Sequence, residues 1–104
     1  MSNPSDSIAS PARPTIDLPL GHLLSTPGAI KAMAKAGQEP LELLNRHRSG
    51  DWGNVCAEDR TANDLAITHG DRILSAYMLK DGVRLWIITE ADRSATTILL
   101  PDEY

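Results

Sequence analysis

Phenylalanine is absent from the 104 residues, and the remaining aromatic residues, two Trp and two Tyr, make up 4% of the chain. With so few large rings, a core must be filled by Leu, Ile, Ala, Val and Met around Trp52 and Trp86. Cysteine occurs once, at Cys56, which excludes an intramolecular disulfide and a cysteine-built zinc cage within one chain. No segment approaches the roughly 20 apolar residues of a membrane span, and the first residues hold no apolar run of signal-peptide type. The expectation is a cytoplasmic protein with no membrane partner. Basic excess is lacking too: ten Lys and Arg stand against fourteen Asp and Glu, a net charge of −4. That balance disfavours nucleic acid as a general partner while leaving room for a local basic patch.

The hydrophobic fraction of 41% and charged fraction of 23% are globular values, and the length suits one core. Residues 1–15 carry Ser2, Ser5, Ser7, Ser10, Pro4, Pro11 and Pro14 with little to bury, and read as a disordered tail ahead of a single domain over 16–104. Ile16, Leu18, Leu20, Leu23 and Leu24, interrupted by Pro19 and Gly21, suit an extended segment packed on that domain, with room for a short edge strand.

Thr26-Pro27 predicts a helix start, since a Thr side chain accepts from an orphan amide and Pro at the first helical position has no amide to lose. Gly37 predicts its end. Pro40 starts a second helix, stopped at Ser49-Gly50, with Leu41, Leu44 and Arg48 on one side and Leu43 and His47 beside them. Asp51-Trp52-Gly53-Asn54 reads as a tight turn holding an aromatic anchor. A third helix is expected over Ala57–His69, with Glu58 and Asp59 at its positive end, Ala62, Leu65, Ala66 and His69 on one face, and Gly70 as cap. Beyond it the period changes to two: a strand over 72–79, a Lys80-Asp81-Gly82 hairpin loop, a strand over 83–90, a turn, and a strand over 95–100 closed by Pro101. Adjacent Ile87 and Ile88 point to opposite faces, which marks their strand as the central one, with Trp86 as core anchor. The fold class is α+β: three short helices, then a three-stranded antiparallel meander covered by helices on one face, with an N-terminal edge strand as an option.

The stretches 20–29, 36–41, 46–53 and 89–101 resemble those of a small uncharacterised bacterial family found on plasmids, integrative elements and prophages. Its members are labelled "plasmid-related protein" or "type I restriction endonuclease subunit M". The resemblance covers roughly residues 19–104 and implies a mobile-element protein, with no functional residues to carry over. The methyltransferase label conflicts with the residues. A DNA adenine methyltransferase needs a Gly-rich cofactor loop and an Asn/Asp-Pro-Pro-Tyr-type segment, and this sequence has neither.

Chemistry-bearing residues are scattered. His22, His47 and His69 have no metal-ligand spacing, so no metal and no cofactor is expected. His47, near a helix C-terminus beside Arg46, Arg48 and Asp51, reads either as an acid/base group or as a helix-end histidine stabilised by the dipole. Glu90, Asp92 and Arg93 flank the turn after the central strand and are the candidate binding surface, set against a structural ion pair or a solvated loop. Thr96 and Thr97 are ordinary strand residues.

The favoured function is a small non-catalytic binding or regulatory protein acting on a host or plasmid protein. The alternative is a toxin-like endoribonuclease, similar to RelE- and BrnT-like members in element order, with His47 as acid or base and Arg72, Arg84 and Arg93 on the scissile phosphate. A DNA-mimicking inhibitor would need a denser carboxylate array than −4 supplies. Self-association through the third meander strand or the helical face is compatible with the pattern.

Overall fold

The computed structural model describes residues 16–104; the expected N-terminal tail over 1–15 lies outside the described residues. Punctuation by Pro, Gly and Thr places every helix. Helix α1, Pro27–Ala36, starts on Thr26, whose hydroxyl accepts the Ala29 amide, and ends on Gly37 in the left-handed conformation. Helix α2 is Pro40–Arg48 and helix α3 Ala57–His69. Four strands follow the same logic: β1 His22–Ser25, β2 Ile73–Met78, β3 Arg84–Thr89 and β4 Ala95–Leu99, with a 3₁₀ turn at Pro101–Glu103 closing the chain.

β2, β3 and β4 form the antiparallel meander, but the sheet has four strands, in the order β1-β4-β3-β2, and β1 runs parallel to β4. The three-stranded expectation is therefore incomplete. The His22 and Thr26 amides donate to the Ser94 and Ile98 carbonyls, which draws the optional edge strand onto β4. Gly21 makes this entry possible, because at φ 66° a side chain would also overlap the Ser94 carbonyl. β4 is consequently an interior strand, and the exposed edge on that side is β1.

The inner face of the sheet carries the core. Leu85, Ile87, Tyr77, Leu79 and Ile98 pack with Ala29 and Met33 of α1 and Leu43 and Leu44 of α2. A second cluster joins Leu18, Trp52, Ala66 and Ile73 beneath α3. α3 packs on this core through Ala66, with Asn63 also buried, while Leu65 is left half-exposed; the expected face pairing Ala62 with Leu65 is rotated from the real one. In α2 the buried set is Leu43, Leu44 and His47, and Leu41 is exposed.

The two tryptophans have different fates. Trp52 is completely buried and its indole N–H donates to Asp64 at 2.9 Å. Trp86 pairs with Ala76 on β2 and so lies on the opposite face, half-buried, with Tyr104 edge-on at 5.8 Å; Ala76, Ile88 and Leu99 on the same face are buried. It is not the core anchor that its place in an apolar strand predicts, because the period of two sends Ile87 inward and Trp86 outward.

Candidate functional site

Helix α2 turns His47 inward onto the sheet, where it is 0% exposed, as are Ser75, Thr89 and Thr96 around it. Nδ1 lies 2.6 Å from Ser75 Oγ and Nε2 lies 2.8 Å from Thr89 Oγ1. The Thr89 and Thr96 hydroxyls are 2.8 Å apart, and Thr96 donates to the Leu20 carbonyl at 2.7 Å.

This chain of contacts has one consistent direction. The single Thr96 hydroxyl proton goes to Leu20, so Thr96 accepts from Thr89. Thr89 must then accept from His47, placing the ring proton on Nε2, and Nδ1 accepts from Ser75. The result is a neutral imidazole in one tautomer, inside a relay that touches β2, β3, β4 and the residue leading into β1. Burial pushes the His47 pKa down to about 4, because an imidazolium there would be desolvated, and among the described residues no carboxylate is bonded to it. The helix-dipole reading is corrected accordingly: desolvation outweighs the favourable field at the end of α2. Trp52 seals the ring edge-on at 5.8 Å.

The turn over 90–94 is equally committed. Arg93, at φ 63°, donates through its guanidinium to the carbonyls of Ala66, Asp71 and Glu90. Two of those acceptors lie at the C-terminal end of α3, where a cation meets the negative end of the helix. Hydrogen bonds from the Ser94 side chain and amide hold the Asp92 carboxyl below its usual range. Glu90 keeps its exposed carboxylate, while its amide donates to Ala95.

The remaining arginines are spread apart. Arg72 precedes β2 and bonds the Tyr104 hydroxyl, whereas Arg84 opens β3 opposite Met78 at the other end of the hairpin, about 20 Å away along six strand residues. Arg72 and Arg93 approach the same end of the molecule through Asp71. None of the three arginines is bonded to His47, whose ring is walled off beneath the helices.

Sequence reasoning missed Ser75, Thr89 and Thr96. The signal was present: each occupies an inward position in a period-two pattern, next to Ile73 and Tyr77, Ile87, and Ile98 respectively. A hydroxyl repeated at inward positions of three neighbouring strands requires a buried polar partner.

Alongside the charged surface, several large apolar side chains are exposed. Leu23 is 55% exposed, Leu24 53% and Met78 50%; Met78 and Leu24 share the face of Trp86, whose half-buried ring meets Tyr104 edge-on, while Leu23 has the opposite parity. Among the described residues no group of three or more His, Cys, Asp or Glu side chains is placed to hold a metal, and no helix is long and apolar enough to cross a membrane. Compared with protein-family models, curated proteins and solved structures, the chain matches none.

Proposed function

We propose that this is a non-catalytic binding protein of a mobile genetic element, which modulates a host or plasmid protein by contact with the sheet face that carries Trp86 and Met78. The observation that carries the reading is the division of chemistry. His47 is buried neutral and Arg93 is spent on backbone carbonyls, whereas the outward face offers Met78, Trp86 and Tyr104. Aromatic and Met side chains of this kind anchor protein interfaces more often than isolated charges do. Solvent-borne substrates have no route to a ring with no exposed surface, which weighs against the endoribonuclease alternative.

The test compares tagged wild-type protein with Met78→Asp and Trp86→Ala in the bacterial host. A stoichiometric partner retained by the wild type and lost by both variants, with unchanged far-UV circular dichroism, is the expected outcome. Capture unaffected by either change, or RNA cleavage on induction of the wild type, would count against the reading.

A further inference from the structure

The outer edge of β1 is open. Because His22 and Thr26 spend their amides on β4, the alternate residues Leu23 and Ser25 turn their N–H and C=O groups away from the sheet. No hydrogen bond fills them among the described residues. The strand His22-Leu23-Leu24-Ser25 also lacks the usual protections of an edge: it has no Lys, no Asp or Glu, no Pro and no bulge.

We propose that β1 pairs antiparallel with β1 of a second copy of this chain, across a two-fold axis at Leu24, joining two four-stranded sheets into one of eight strands. This goes beyond the reading above and uses a different surface, the edge rather than the Trp86 face. The occupant follows from self-complementarity. An axis at Leu24 sets Leu23 opposite Ser25 of the other copy, and these are the residues whose backbone groups point outward. Each such pair exchanges two hydrogen bonds, so four bonds form and every open group of the strand is satisfied. Leu24 then meets its own symmetry mate as the closely spaced, non-hydrogen-bonded pair, covering a side chain that is 53% exposed in one copy. Moving the axis by one residue either way brings Gly21 or Pro27 into the bonding register. Gly21 has the wrong backbone conformation for it, at φ 66°, and Pro27 has no amide to donate. A self-pairing interface of this kind is isologous and closes at two copies.

The contact is small. About five residues from each copy bury well under the ~1,200 Å² of a standard interface, so a dissociation constant no tighter than micromolar is expected.

Sedimentation equilibrium on the full chain, from about 10 μM to 1 mM, should move the mean mass from the 11.3 kDa of one copy toward twice that value. Ser25→Pro removes the Ser25 amide in both copies, hence two of the four bonds, at the cost inside the chain of one long contact from the Ser25 hydroxyl to the Thr26 carbonyl at 3.4 Å, and should weaken association at least tenfold. Leu24→Cys in a Cys56→Ser background should give a disulfide-linked dimer under mild oxidation, since facing non-bonded pairs fall within disulfide range, while His22→Cys in the same background should not. A wild-type mass that stays at one copy throughout overturns the proposal. So does association undiminished by Ser25→Pro, or cross-linking as fast at His22 as at Leu24. If Ser25→Pro fails to fold, the cysteine pair decides alone. A monomer that still binds its partner through Met78 and Trp86 would overturn the dimer and leave the proposed function standing.

Discussion

The two edges of this sheet are treated in opposite ways. On the β2 side the Ala76 amide donates to the Trp52 carbonyl at 3.1 Å, the Asn54 amide donates to the Ala76 carbonyl at 2.6 Å, and the Asn63 side chain bonds both the amide and the carbonyl of Leu74. On the β1 side no such cover reaches Leu23 and Ser25 from the described residues. The sealed edge is held from several directions: Trp52 is fully buried, the Tyr77 hydroxyl donates to the Asp51 carbonyl, and Arg46 pairs with Asp51 at 2.7 Å while lying over the Tyr77 ring at 4.6 Å. That ion pair keeps the Asp51 carboxyl below its usual range. One edge is thus part of the core, and the other is surface that the fold leaves available. Between them the His47 relay crosses the sheet, from Ser75 on the sealed strand to the Leu20 carbonyl beside the open one.

The contrast can be broken hardest at Trp52. Trp52→Ala empties the second cluster, uncovers His47 and loosens the strip that seals β2, and is expected to cost about 3–5 kcal/mol; urea unfolding measures it, and a loss under about 1 kcal/mol would mean the sealed edge is not part of the core.

Next comes pH, which tests the relay joining the edges. The folded His47 pKa is about 4, below the ordinary 6.5, so its neutral form stabilises the fold fully above pH 6.5. This contribution is lost as pH falls from 6.5 through 4, where the unfolded chain takes up a proton that the folded one refuses. The linked loss is on the order of 3 kcal/mol. Melting curves across that window should drop for the wild type and fall less steeply for a His47→Gln variant that still folds.

Gly53→Ala should cost about 2 kcal/mol. Gly53 sits at φ 73°, and a Cβ there would overlap the Ala76 carbonyl, so the bridge to β2 must open. Hydrogen exchange should then accelerate at Asn54 and Ala76. Unchanged protection there would show that the seal does not depend on this close approach.

The smallest effect belongs to the open edge. Leu23→Thr should change stability by no more than about 0.5 kcal/mol, as read by the urea midpoint at dilute concentration, because Leu23 is 55% exposed. A large loss would place β1 in the core after all and erase the difference between the edges.

Much of this was legible in the residues and some was not. Pro27, Gly37, Pro40 and Gly70 act on their immediate neighbours, and the helix limits they predict agree with Pro27–Ala36, Pro40–Arg48 and Ala57–His69. The hairpin at Gly82 and the turn before Ala95 are legible for the same reason. Which face of a strand meets the helices is not local. Trp86 and Ile87 are both large and hydrophobic, and the packing of α1 and α2 decides which one is inside. The Arg93 guanidinium finds its carbonyls on Ala66 and Asp71, more than twenty positions away, a partnership that no spacing announces.

By itself, then, the sequence determined the elements, their order and their ends, because capping, turn chemistry and hydrophobic period act within a few residues. Tertiary structure alone decided that β1 joins β4 in parallel and that Trp52 seals one edge while the other stays open. It also decided that His47 is held neutral, since charge state depends on desolvation and partners brought together from three strands.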